Sequence, residues 1–159
     1  MKITVISVGK IKEKYLDSAI KEYAKRISKF TKIEFNELKD EPLSYKSSDA
    51  LDLKVKETEG KRILASIPKG DYVIVLDLKG EEITSPELAK KFIEINTYHS
   101  ANITFIIGGS LGLSEEVVSS ANYNLCFSKM TFPHQLMKVI LLEQVYRAFK
   151  INNNETYHK

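Results

Sequence analysis

Apolar positions along this chain follow two alternating rhythms, one of period two or continuous, the other of three and four. Ile3 to Val8 is β-branched and closes on Gly9-Lys10, the pattern of a buried first strand. Leu16, Ile20, Tyr23, Ile27 and Phe30 then mark one apolar face of a helix. Its other face carries Lys14, Lys21, Lys25, Arg26 and Lys29 against Asp17 and Glu22. That face reads as a solvated helix surface, with an RNA-phosphate patch as the sharper alternative. Thr31 to Leu38 alternates polar and apolar through Ile33 and Phe35, a second strand, and Lys39 to Asp49, with Pro42, reads as loop. Asp52 to Ile67 has the pattern of a charged helix, with Gly60 inside it as a weak point. A turn at Pro68-Lys69-Gly70-Asp71 leads into Tyr72 to Leu76, apolar throughout and so expected as a central parallel strand. Lys79-Gly80 reads as a further turn. Thr84 or Ser85, followed by Pro86 and Glu87, opens a helix running to about His99. Ile103 to Ile107 is a strand ending in Gly108-Gly109, and Ser114 to Val118 is a short capped helix with acidic residues in its first turn. Tyr123 to Ser128 is the last strand. Pro133 then starts a long helix to Ile151 with a broad apolar face.

Strands that alternate with helices predict an α/β fold with a mostly parallel sheet flanked by helices. At 159 residues one domain, 1–159, is expected. Hydrophobic residues at 43% and charged residues at 28% fit a globular chain with an ordinary core. A net charge of +3 permits an anionic partner without demanding one. Cys126, the one cysteine, lies in an apolar strand and reads as a buried, inert thiol. No stretch approaches the ~18 apolar residues of a membrane span, and the N-terminus lacks a signal-peptide pattern. The expected location is the cytoplasm, with no membrane partner.

Candidate chemistry concentrates in two strand-to-helix loops, Ile107 to Gly112 and Phe127 to His134. Ligands of open α/β sheets bind at such carboxyl ends. Gly108, Gly109 and Gly112 would let a ligand approach bare backbone, and a plain tight turn is the bland alternative. The spacing Gly108-Gly109-Ser110-Leu111-Gly112 fits neither the G-x-G-x-x-G dinucleotide fingerprint nor a phosphate loop, which disfavours a phosphate-rich nucleotide. Metal-ligand spacing and a G-x-S-x-G elbow are both missing. An adenosine-type ligand without phosphates suits the remaining features, though composition alone does not select one.

The segments Ile107 to Gly112, Phe127 to His134, Glu143-Gln144-Val145-Tyr146-Arg147-Ala148 and the terminal Tyr157-His158 resemble the RlmH (YbeA-like) family of SPOUT-class ribosomal RNA methyltransferases. The likeness extends over the whole chain. It implies a SPOUT fold with a C-terminal trefoil knot, a homodimer, and S-adenosylmethionine as methyl donor. It also implies methylation at N3 of a pseudouridine in large-subunit (23S) ribosomal RNA, in a stem-loop at the subunit interface of the assembled ribosome. The donor-binding positions it implies are Leu76, Gly108, Phe127, Ser128, Lys129, Met130, Thr131 and Phe132, and no metal. Thr156 stands where the family leads one to expect a proline or small residue before Tyr157.

A sulfonium donor is already an activated electrophile, so the protein has to position it and help remove the imide proton. His134, beside the donor loop, is the natural proton acceptor, with simple packing at the helix start as the equal alternative. Arg147 would stabilise a developing anionic base or grip a phosphate, against a plain i,i+4 pair with Glu143. Tyr157 and His158 would otherwise pass as a frayed end, and the resemblance raises them to active-site groups. A methyltransferase acting on another RNA and a non-catalytic RNA-binding protein are the alternative readings.

Overall fold

The computed structural model describes residues 1–159. In chain order the elements are β1 (Lys2–Val8), α1 (Lys14–Ile27), β2 (Lys32–Leu38), α2 (Asp49–Ser66), β3 (Tyr72–Glu82), α3 (Ser85–Tyr98), β4 (Asn102–Ile107), α4 (Glu115–Ser120), β5 (Tyr123–Cys126) and α5 (His134–Asn152). They form a five-stranded sheet in the order β2-β1-β4-β3-β5. Every strand pair is parallel.

The period of two along the strands decides which layer each residue joins. Ile3, Val5, Ile74, Ile103, Phe105 and Ile107 point to one face and pack with Phe92 of α3 and Leu141, Leu142 and Val145 of α5. The alternate positions, Ile6, Val8, Val73, Val75 and Ile106, point to the other face and meet Ile63 of α2 and Val117 of α4. Strands buried on both faces read as continuous apolar runs, and β1 and β4 at the sheet's centre are of that kind. The edge strand β2 keeps no fully buried residue.

Four local outcomes differ from the sequence pattern, each for a physical reason. Asp49, three residues earlier than the pattern suggests, opens α2, because the Ser48 hydroxyl accepts the Leu51 N–H at 3.2 Å. Gly60 sits inside α2, which runs on through it as the pattern has it. A Cβ there would lie 2.4 Å from Ser114 Oγ, so the glycine lets α2 close onto the start of α4. Lys79-Gly80 is not a turn but lies within β3. The pairing of β3 with β5 shifts register between Leu76 and Glu81, both opposite Leu125, so residues 77–80 bulge out of the ladder. A Cβ at Gly80 would sit 2.7 Å from the Asn124 carbonyl, which marks a close backbone approach. Finally, β5 stops at Cys126, and Pro133 is the cap of α5 rather than its first residue: its carbonyl takes the Met137 N–H at 2.9 Å.

From the edge strand β5 the chain crosses back over the sheet, and α5 packs between α1 and α3. That crossing is the path on which the resemblance places the trefoil threading. The first turns of α5 are pinned to the sheet by Lys138, which is 2% exposed. Its Nζ donates to Ser7 Oγ of β1 at 3.3 Å and to Glu37 Oε1 of β2 at 3.1 Å.

Candidate functional site

The carboxyl ends of β4, β3 and β5 open into a cleft of about 1110 Å³. Its walls come mainly from three backbone segments, the glycine loop after β4, the bulge of β3, and the crossing segment from β5 to α5, with Lys56 of α2 and the outer face of α4 completing them. The glycine loop closes on itself through Gly112 N–H to Gly109 O at 3.0 Å, with Gly112 at φ +87°. A Cβ at Gly108 would lie 2.9 Å from the Gly112 carbonyl carbon and 3.0 Å from Leu113 Cδ2. Gly108 is therefore demanded by the loop's own closure, before any ligand is considered. In the crossing segment Ser128 Oγ accepts the Met130 N–H at 3.0 Å, a side-chain turn that bends the loop. The buried Cys126 thiol donates to Ser128 O at 3.1 Å, which supports the loop from beneath.

Of the positions expected to hold a donor, Leu76, Gly108, Phe127, Ser128, Met130, Thr131 and Phe132 line this cleft. Lys129 does not; at the exposed outer side of the loop, its side chain is no part of the wall. The cleft also has members that the sequence pattern did not single out. Asp77 and Leu78 reach it only because β3 bulges there, and the signal that would have found them, Gly80, reads equally well as a turn.

His134 lines the cleft from the first turn of α5. Its Nε2 faces the bare Cα of Gly9, where a Cβ would stand 3.4 Å away and φ is +88°. Burial pushes the imidazole below its usual pKa, and the nearby Asp40 charge offsets this only in part. The ring is thus neutral near pH 7 and able to accept a proton.

Arg147, Tyr157 and His158 come together elsewhere, on the middle of α5. Glu143 is their hub. Arg147 Nη2 and Nε donate to Glu143 Oε1 at 2.6 and 3.0 Å, and the Tyr157 hydroxyl donates to the same oxygen at 3.2 Å. Arg147 Nη1 lies 3.2 Å from His158 Nδ1, and its guanidinium stands 4.6 Å from the centre of the Tyr157 ring. Tyr157 also packs edge-on against Tyr146 at 4.9 Å. The hydrogen bond to Glu143 raises the Arg147 pKa, and burial, followed by the Glu143 charge, raises that of Tyr157. The i,i+4 pairing of Glu143 with Arg147 is therefore real, and it serves as the platform on which the chain's end is laid. None of these three residues lines the cleft of its own chain.

The family described as "Predicted SPOUT methyltransferase" matches residues 1–158. The chain is 58% identical over 159 residues to "Ribosomal RNA large subunit methyltransferase H 1" of Clostridium perfringens (strain SM101), with all of both chains covered. A Clostridium botulinum protein (strain Alaska E43) is 56% identical and one from Ruminiclostridium cellulolyticum 52% identical, again over the full length of each. Both carry the name "Ribosomal RNA large subunit methyltransferase H". Among solved structures, that of "a probable methylase family protein" from Haemophilus influenzae Rd KW20 aligns with a TM-score of 0.51 at 16% identity. The alignment covers 99% of this chain and 70% of that one, and at that identity it speaks for the fold alone.

Proposed function

The chain belongs to the SPOUT methyltransferase family, in its ribosomal RNA large subunit methyltransferase H group, and from that membership we propose that it methylates large-subunit ribosomal RNA with S-adenosylmethionine as donor. The target is N3 of a pseudouridine in the subunit-interface stem-loop of the assembled ribosome. The observation that carries the reading is the cleft itself. It has apolar and backbone walls, a self-closed glycine loop, and no phosphate-loop lysine, which suits an adenosine without phosphates.

The residues present fit such a donor. Leu76, the backbone of Gly108, and Phe127, Ser128, Thr131 and Phe132 would hold it, with Met130 at the exposed rim and Lys129 outside the wall. When bound, the donor supplies an activated methyl group on a sulfonium. The protein's share is to orient that group, to exclude water and to accept the imide proton. A neutral His134 at the cleft wall is placed to take that proton.

The domain, 1–159, acts as a homodimer in the cytoplasm. The polar cluster of Arg147, Tyr157 and His158 lies away from its own cleft, and α5 keeps Leu136 38% exposed on its outer side. Two copies joined through α5 would bring one subunit's tail to the other's cleft, so that the site is composite. Arg147 and the tail then grip the RNA and stabilise the anionic base.

The test is transfer of labelled methyl groups to ribosomes from a strain lacking the protein, followed by mapping of the modified nucleotide. Label at N3 of a large-subunit pseudouridine supports the proposal. Label elsewhere moves the target, and no donor-dependent label on any RNA rejects the reading.

A further inference from the structure

Behind the glycine loop lies a second, smaller hollow of about 260 Å³, lined among others by Glu59, Asp40 and Glu41. It meets the main cleft at Gly109, Ser110, Leu111 and His134, which border both. Glu59 is 4% exposed. Its Oε2 accepts the Glu41 N–H at 3.0 Å, while Oε1 has no hydrogen-bond partner and no basic side chain pairs with it. That oxygen is not sealed in the core: it faces the hollow and can accept a further hydrogen bond, while burial of the residue raises its pKa.

The surroundings show that Glu59 is held there by design of the packing. Gly60 lets α2 approach α4 as closely as Ser114 allows, and this carries the preceding residue to the glycine loop. A Cβ on Gly109 would stand 3.0 Å from Glu59 Oε1. The second hollow's other acids are accounted for differently. Glu41 is paired with Arg62, and Asp40 is exposed to solvent. No group of three or more carboxylate, imidazole or thiol side chains is arranged to hold a metal ion. Glu59 therefore offers the hollow one open carboxyl oxygen that no protein group uses.

One turn earlier on the same helix, Lys56 is half-buried, enters no ion pair, and lines the main cleft. A carboxylate and an ammonium three residues apart share one side of a helix. Such a pair is complementary to a zwitterion of amino-acid type. We infer that Glu59 receives the α-ammonium of the methyl donor's amino-acid end at the hollow beside Gly109, with Lys56 facing its carboxylate. This rests on the donor reading given above and assigns α2, which that reading leaves out, to donor selection.

The experiment uses calorimetry on the full chain with three neutral-sulfur ligands. They are S-adenosylhomocysteine, its deamino analogue that keeps the carboxylate, and methylthioadenosine, which lacks the amino-acid end. Glu59→Gln keeps an acceptor for the Glu41 N–H but removes the charge. It should weaken S-adenosylhomocysteine about tenfold or more, the scale of one hydrogen bond to a charged group, and leave the other two ligands within about twofold. Lys56→Met should weaken both carboxylate-bearing ligands and spare methylthioadenosine. Thermal unfolding of each variant reports folding, and Glu59→Asp supplies the charge-keeping variant, which should retain preference for the ammonium. Equal loss for all three ligands, or no loss for any, overturns the inference while the donor site stands. Failure of the wild type to bind any of the three overturns the donor reading and this inference together.

Discussion

The cleft and the tail cluster occupy the two halves of the same helix, and they are built in opposite ways. The cleft, at the start of α5, is hollow and largely apolar, and its hydrogen bonds are spent on shaping backbone. The cluster, at the middle of α5, is no part of the cleft, and its charges are already engaged through Glu143. A cavity with a fixed wall is ready to bind a small molecule within one chain. A saturated, half-exposed set of Arg147, Tyr157 and His158 gains nothing from a small apolar ligand, but offers donors and an aromatic face to a nucleic acid. On the proposed reading the first region takes the donor and the second handles the acceptor.

Removing the tail is the strongest way to break that division. A chain ending at Glu155 loses Tyr157 and His158 but keeps every residue of the cleft. Methyl transfer should fall by ~100-fold or more, the scale of losing groups that act only at the transition state, while S-adenosylhomocysteine affinity stays within about twofold. Mixed with a cleft-defective Gly108→Val chain, the truncated chain should recover part of the activity if subunits exchange and the site is shared. Full activity of the truncated protein would remove the tail from the reaction, and weaker donor binding would merge the two regions into one.

A smaller break comes from Arg147→Lys, which keeps the charge but loses the fork that holds Glu143 with two nitrogens. Transfer should drop about tenfold, with donor affinity unchanged. A lysine variant with wild-type turnover would reduce Arg147 to a surface pair.

These two regions were unequally legible in the sequence. The order of elements, the parallel sheet and the position of the cleft follow from apolar periodicity, because burial on one or two faces dictates it. The glycines of the loop after β4 were visible as a loop without phosphate chemistry. Other features depend on contacts between distant segments, which periodicity does not record. Gly60 reads as no more than a weak point in a helix, and the reason for it, Ser114, lies far along the chain. Gly80 looked like a turn, yet it answers to the Asn124 carbonyl across the strand. Tyr157 and His158 carry no local pattern at all. They entered through resemblance, and only the fold shows Tyr157 laid on Glu143 and His158 on Arg147.

Filling the two glycine contacts separates packing from ligand binding. Gly108→Ala and Gly60→Ala each place a methyl under 3.0 Å from a neighbour, and each should cost ~1–3 kcal/mol of stability, read as a lower midpoint in denaturant. At Gly108 the neighbour is backbone, which cannot swing away, so its cost should be the larger. At Gly60 the Ser114 hydroxyl can rotate but must give up its cap to Val117 N–H at 3.4 Å. Wild-type stability for Gly108→Ala would mean that the loop does not need its own closure. The glycine would then be kept for the donor alone.

The smallest effect sharpens the role of His134, which stands in the cleft and not in the cluster. Burial holds its folded-state pKa below the ~6.5 of an exposed imidazole. Between those two values the unfolded chain binds a proton that the folded chain refuses. This part of the stability is full above pH ~6.5 and is lost as pH falls through the folded value, with a slope that cannot exceed ~1.4 kcal/mol per pH unit for one proton. The Asp40 charge facing the ring opposes this depression only in part. His134→Gln keeps a polar side chain without the titration. Urea unfolding of both proteins from pH 8 to pH 5 should therefore show wild type losing ground to the variant only below pH ~6.5. The rate of methyl transfer by wild type should fall over the same acidic range, since a protonated ring cannot accept the imide proton. Parallel stability curves would place the ring in solvent-like surroundings. A variant that transfers methyl groups at the wild-type rate would leave proton removal to the tail, and the division of labour along α5 would then hold for binding alone.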